Sequence, residues 1–112
     1  MQKFMVLYLS PVSAREQMAR ATPEQIQAGM AEWMKWREKV QNAIVDFGSP
    51  LEGGKHIESG NVSAGELTIT GYSIVQANSI DDAVKLFQDH PHFKTPGGAS
   101  IDIFEFVTMP GM

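Results

Sequence analysis

The chain has 112 residues, 43% of them apolar and 20% charged, enough for one globular unit around a single modest core. It contains no cysteine, which excludes disulfide scaffolds, thiol nucleophiles and thiolate metal sites. A net charge of −4 with no basic run argues against nucleic acid or an anionic membrane as partner.

Lys3–Leu9 is apolar at both parities, with Phe4, Val6 and Tyr8 on one face and Met5, Leu7 and Leu9 on the other. This predicts a strand buried on both sides and therefore central in its sheet. It is no signal peptide, and no segment of the chain is long enough to span a bilayer, so residues 1–112 are read as one cytoplasmic domain. Ser13-Ala-Arg-Glu16 has the spacing of a capping box and predicts a short helical turn through Met18.

Thr22-Pro23-Glu24-Gln25 supplies an N-cap, a proline at the first helical position and a reciprocal Gln. A long helix follows. Ile26, Met30, Trp33, Trp36, Val40 and Ile44 form its inward stripe, and its end is predicted near Asn42. Extended structure begins at Ile44–Phe47, is interrupted by Gly48-Ser-Pro50 and Gly53-Gly54, resumes at Lys55–Glu58 and turns at Gly60-Asn61. Such interruptions suit a sheet edge, where ladder bonds are dispensable. Leu67–Gln76 reads as the next strand.

Ser79 is placed to cap a second helix, with Ile80, Ala83, Val84 and Phe87 inward and Asp81, Asp82, Lys85 and Gln88 in water. Pro91 restricts His90 to extended geometry, which predicts a stop near Asp89. Ile101–Val107 is the last strand. The order is therefore β-α-β-β-α-β: an α+β, ferredoxin-like split βαβ with an antiparallel sheet, helices on one face, and the first and third strands central. Two helices cover one face of such a sheet; the other still needs cover.

Several stretches look like the YCII-related (DGPF-type) proteins: Lys3-Phe-Met-Val-Leu-Tyr8, Met30-Ala-Glu-Trp-Met-Lys-Trp36, Gly71-Tyr-Ser-Ile-Val-Gln-Ala77, Asp82-Ala83, His90-Pro91 and Ile101-Asp-Ile-Phe-Glu105. The resemblance runs through almost the whole chain. It implies protomers paired as a dimeric α/β barrel. Some members of that family carry a His on the long helix with an Asp nearby as the proposed acid–base pair. This long helix has no His, so the pair does not carry over, and Gly60-Asn-Val-Ser-Ala-Gly-Glu66 stands where the DGPF signature would be.

The polar cluster that looks most like chemistry is His90-Pro91-His92. An imidazole there can act as acid, base or ligand anchor, His90 first because a helix C-terminus favours its protonated form and draws its titration toward neutral pH. The plainer account has His90 stabilising the helix end and His92 lying in a solvated loop. Trp33 and Trp36 are candidates to wall an aromatic pocket with Tyr8 or Tyr72, against the plainer reading of core packing. A metal site would need a further ligand from His56, Asp102 or Glu105, and none is expected. His56 falls in the Gly-rich edge region, and Glu105 reads as an exposed acid on the last strand. No phosphate-binding glycine loop or nucleophile elbow is present, and no cofactor is expected.

The leading expectation is a homodimer that binds a small organic molecule in a cleft beside each sheet. Any turnover would be cofactor-independent proton transfer or elimination, lyase- or dehydrochlorinase-like, with His90 or His92 as base. The alternatives are a non-catalytic ligand sensor or accessory dimer, and a monooxygenase-like dimeric α/β barrel acting on phenolic substrates.

Overall fold

The computed structural model describes residues 1–65 and 68–111. In chain order its elements are β1 (Gln2–Leu9), α1 (Ala14–Arg20), α2 (Pro23–Lys39), β2 (Ile44–Pro50), β3 (Lys55–Glu58), β4 (Asn61–Ala64), β5 (Ile69–Ala77), α3 (Ile80–Lys85) and β6 (Ser100–Glu105). Short 3-10 turns cover Gln41–Ala43 and Pro91–Lys94. The expected strand start at Leu67, and Glu66 beside it, lie outside the described residues.

β1 is central, as its double apolar pattern predicts. The main sheet runs β2-β5-β1-β6 with every neighbour antiparallel. Phe4, Val6 and Tyr8 point to the helices and are buried with Val75, Ala77, Trp36, Ala83 and Phe87 in one core. Met5, Leu7 and Leu9 point the other way and stay half-buried, because no helix covers that face. Cross-strand register adds Tyr72, Ile74 and Phe104 to the same uncovered side.

Each helix start follows its sequence signal. The hydroxyls of Ser13, Thr22 and Ser79 accept the amides of Glu16, Gln25 and Asp82, and Thr22 with Gln25 completes the reciprocal box. Such caps are each worth about 1 kcal/mol.

Several boundaries and facings differ from expectation. α1 continues to Arg20 and α3 stops at Lys85, four residues before Asp89. Its cap amide at Leu86 bonds the carbonyls of Ala83 and Val84, so the chain tightens into turns before proline can act. Met30 on α2 is 59% exposed, and Ile80 and Val84 on α3 are 44% exposed. The helices touch the sheet over narrower stripes than periodicity alone implies.

The largest difference is at the interrupted edge. Gly48-Ser-Pro50 does not end β2; it bulges within it, with register shifts between Ile44 and Ser49. Gly48 takes φ +88, and a Cβ there would sit 1.7 Å from the Tyr72 carbonyl oxygen, so only glycine fits. β3 and β4 do not resume that edge. They form a separate two-stranded hairpin.

Candidate ligand site

The backbone of His90 is extended, at φ −66 and ψ 138, as the following proline requires. That conformation turns its imidazole inward. Nδ1 accepts the backbone N–H of His92 at 3.0 Å, which places the ring proton on Nε2. The ring lies 4.4 Å from Trp36 and 4.5 Å from Trp33, both edge-on, and stacks on Tyr8 at 5.2 Å. Phe87 closes the group at 5.5 Å. His90 is 1% exposed, and its Nε2 is buried without a hydrogen-bond partner among the described residues.

Burial pushes the His90 imidazole down to about 3, with the neighbouring His92 adding to the effect. This overturns the expectation of a helix-end imidazole drawn toward neutral pH. α3 ends five residues earlier, and the ring sits in an aromatic pocket rather than against helix carbonyls. His92 is also buried, not in a solvated loop: its Nε2 donates to the Leu9 carbonyl at 2.9 Å. Burial lowers its pKa, opposed by the carbonyls of Leu9 and Ser100.

Tyr8 shares this side of the sheet. Ser73 donates its hydroxyl proton to the Phe47 carbonyl at 2.6 Å, so the Tyr8 hydroxyl donates to Ser73 at 2.8 Å. Burial raises the Tyr8 phenol to about 12, so it stays protonated. Trp36 is tied down by its indole N–H, which donates to the Leu86 carbonyl at 2.7 Å and joins α2 to the end of α3. Trp33 is only half-buried and makes no hydrogen bond among the described residues; ring contacts with Tyr8, His90 and Phe47 hold it.

The structure thus brings Tyr8, Trp33, Trp36, His90 and His92 together and leaves Tyr72 apart. Tyr72 has the opposite strand parity and faces the uncovered side, where its hydroxyl donates to Asp46 at 3.0 Å. That carboxylate, chiefly by accepting this bond, raises the Tyr72 phenol. Ser73 was not among the sequence candidates, although its parity with Val75 placed it on the helix side. Asp46 was likewise missed. No three His, Asp or Glu side chains converge among the described residues, and Glu105 is exposed. Two open grooves, of about 510 Å³ beside Arg37 and Phe47 and about 350 Å³ beside Met18 and Leu51, lie away from His90.

This architecture defines a ferredoxin-like α+β protein with a histidine–aromatic cluster between its helices and its sheet. In particular, it is similar to the solved structure of 5-chloro-2-hydroxyhydroquinone dehydrochlorinase (TftG) from Burkholderia phenoliruptrix AC1100, a complex with 2,5-dihydroxybenzoquinone. The two superpose with a TM-score of 0.57 over 94% of this chain and 93% of that one, at 14% identity. A likeness at that identity establishes the fold. No family model and no curated protein matches the sequence. Among the described residues no helix is long and apolar enough to cross a membrane.

Proposed function

We propose that this chain is a YCII-related protein of the dimeric α/β-barrel kind, a cytoplasmic homodimer that binds a small, flat, oxygen-bearing organic molecule at the His90–Trp33 cluster. One observation carries the reading: the Nε2–H of His90 is buried, aimed among aromatic rings and unpartnered among the described residues. Leaving a buried donor without an acceptor costs about 1–3 kcal/mol. A ligand oxygen at that position recovers it, and the surrounding rings supply flat apolar walls. Trp33, unlike Trp36, has no hydrogen bond to hold it among the described residues and is the side chain that yields to a ligand. The dihydroxybenzoquinone bound by the similar dehydrochlorinase is a small, flat, oxygen-bearing ring.

The same geometry favours binding over base catalysis. Nδ1 of His90 is occupied, Nε2 carries the proton, and burial keeps the ring neutral, so no lone pair is free to abstract a proton. His90 serves as a donor that fixes, and in any turnover polarises, a carbonyl or phenolic oxygen. His92 holds the loop in place through Leu9.

The test uses 2,5-dihydroxybenzoquinone as probe, followed by calorimetry and tryptophan fluorescence. The variant is His90→Asn, whose side-chain oxygen can still accept the His92 amide while Nε2–H is lost. Binding by the wild type and a loss of about tenfold or more in the folded variant are expected. Equal affinity in the two proteins would place the site elsewhere. Consumption of the probe after long incubation identifies an enzyme that acts on it; its recovery unchanged establishes binding alone.

A further inference from the structure

The β3–β4 hairpin serves nothing described so far. All eight of its strand residues are exposed, and among the described residues it pairs with no strand of the main sheet. Ser59 at φ 49 and Gly60 at φ 83 form the two-residue turn that closes Glu58 onto Asn61. At the base, Gly65 N–H donates to the Gly54 carbonyl at 2.9 Å. Between these ends Ile57 sits directly opposite Val62, so both point to the same side, at 71% and 63% exposure. An isolated two-stranded hairpin is marginal in water, and an uncovered Ile–Val pair at its middle adds only a little to its stability there.

The chain's shape agrees with a projecting arm. Its extents are 49 × 43 × 18 Å and its radius of gyration is 15.5 Å. A compact chain of this length has a radius of about 13 Å.

We infer that Lys55–Ala64 is a dimerisation arm whose Ile57–Val62 face packs on a second copy of this chain. The inference rests on the homodimer proposed above. A second copy is the occupant because one chain presents two uncovered apolar surfaces, the hairpin and the sheet face of Met5, Leu7, Ile74 and Phe104. A twofold axis covers both at once, each copy supplying what the other lacks.

The areas agree. From strand spacing and rise, a four-stranded face about 20 Å square gives roughly 400 Å² per protomer, or about 800 Å² for the pair. Stable interfaces bury about 1,200–2,000 Å². Each hairpin, about 10 by 14 Å, covers its own area and an equal patch of the partner. The partner patch belongs to the sheet face already counted, so two arms add roughly 280 Å² and bring the total to about 1,100 Å², close to the lower bound.

The experiment compares three proteins by sedimentation equilibrium, with circular dichroism to confirm folding: the wild type, a variant with an Asn-Gly turn in place of residues 55–64, and the double substitution Ile57→Thr, Val62→Thr. The turn keeps the Gly54–Gly65 closure, and the threonines keep strand propensity while removing apolar surface. A dimeric wild type whose dissociation constant rises about tenfold or more in the variants is the expected result. If the turn variant does not fold, the threonine variant alone decides. A dimer equally tight without the Ile57–Val62 pair overturns the arm and leaves the homodimer standing. A monomeric wild type overturns both.

Discussion

His90 and His92 are bound to each other through one hydrogen bond, from the His92 amide to the His90 Nδ1, at 3.0 Å. That bond decides the tautomer of His90, closes the 3-10 turn at Pro91–Lys94 and leaves a single N–H pointing into the aromatic group. It also makes the loop sensitive to acid, since protonating Nδ1 would remove the acceptor.

Stability should therefore fall on the acid side. The unfolded imidazole titrates near 6.5 and the folded one near 3, so between those values the unfolded chain binds more protons. Stability from neutral His90 is complete above pH 6.5 and declines as pH falls toward about 3. The slope is at most about 1.4 kcal/mol per pH unit for this one group, and His92, whose imidazole burial also lowers, adds to it in the same direction. Urea unfolding of the wild type and His90→Asn across that window checks it. The variant should show a shallower slope, and parallel curves would mean that His90 does not carry the dependence.

Tyr8 works in the opposite direction. Its phenol rises from 10 to about 12 in the folded protein, so the folded chain holds the proton more tightly. Its contribution is intact below pH 10 and is lost as pH rises through about 12. Tyr8→Phe should cost about 1 kcal/mol at neutral pH, from the lost bond to Ser73, and should remove most of the alkaline decline. Alkaline unfolding curves of the two proteins decide this, and coincident shapes would count against a buried, protonated Tyr8.

The two tryptophans should behave differently. Trp36→Ala removes a buried ring and the partner of the Leu86 carbonyl, and is expected to cost about 3–5 kcal/mol. Trp36→Phe keeps most of the packing but leaves that carbonyl unpaired, at about 1–3 kcal/mol. Trp33→Ala should cost less than Trp36→Ala, because Trp33 is more exposed and has no hydrogen bond to lose among the described residues. It should also weaken binding of the quinone probe. Equal losses for the two alanine variants, measured by urea unfolding, would show Trp33 to be ordinary core.

Gly48→Ala is the sharpest backbone prediction. The new methyl would meet the Tyr72 carbonyl oxygen at 1.7 Å from a residue at φ +88, so strand β2 would have to leave β5 locally. A loss of about 3 kcal/mol or more is expected, with amide exchange accelerated along Ile44–Pro50. Gly53→Ala, where nothing lies within 4 Å, is the control for positive φ alone.

The elements of this fold that were legible in the sequence depend on neighbours a few residues apart. The caps at Ser13, Thr22 and Ser79 are set by side chains three residues from the amides they bind. The alternation of Phe4, Val6 and Tyr8 against Met5, Leu7 and Leu9 placed β1 at the centre of an antiparallel sheet with helices on one face. Tertiary structure decided the rest. Strand parity separated Tyr72 from Ser73, but only the packed helices determined that Ser73 and Tyr8 would be buried and Tyr72 left on the open side. The inward turn of His90 depends on Trp33 and Trp36, more than fifty residues away in sequence, and on desolvation that no local pattern encodes. The detachment of β3–β4 has the same origin: a four-residue strand pairs wherever an edge is in reach, and the chain stays on β5 through Pro50 and Leu51 and leaves the sheet only before Lys55. Local chemistry sets where elements begin and which way their side chains alternate. Long-range burial sets which of those side chains meet.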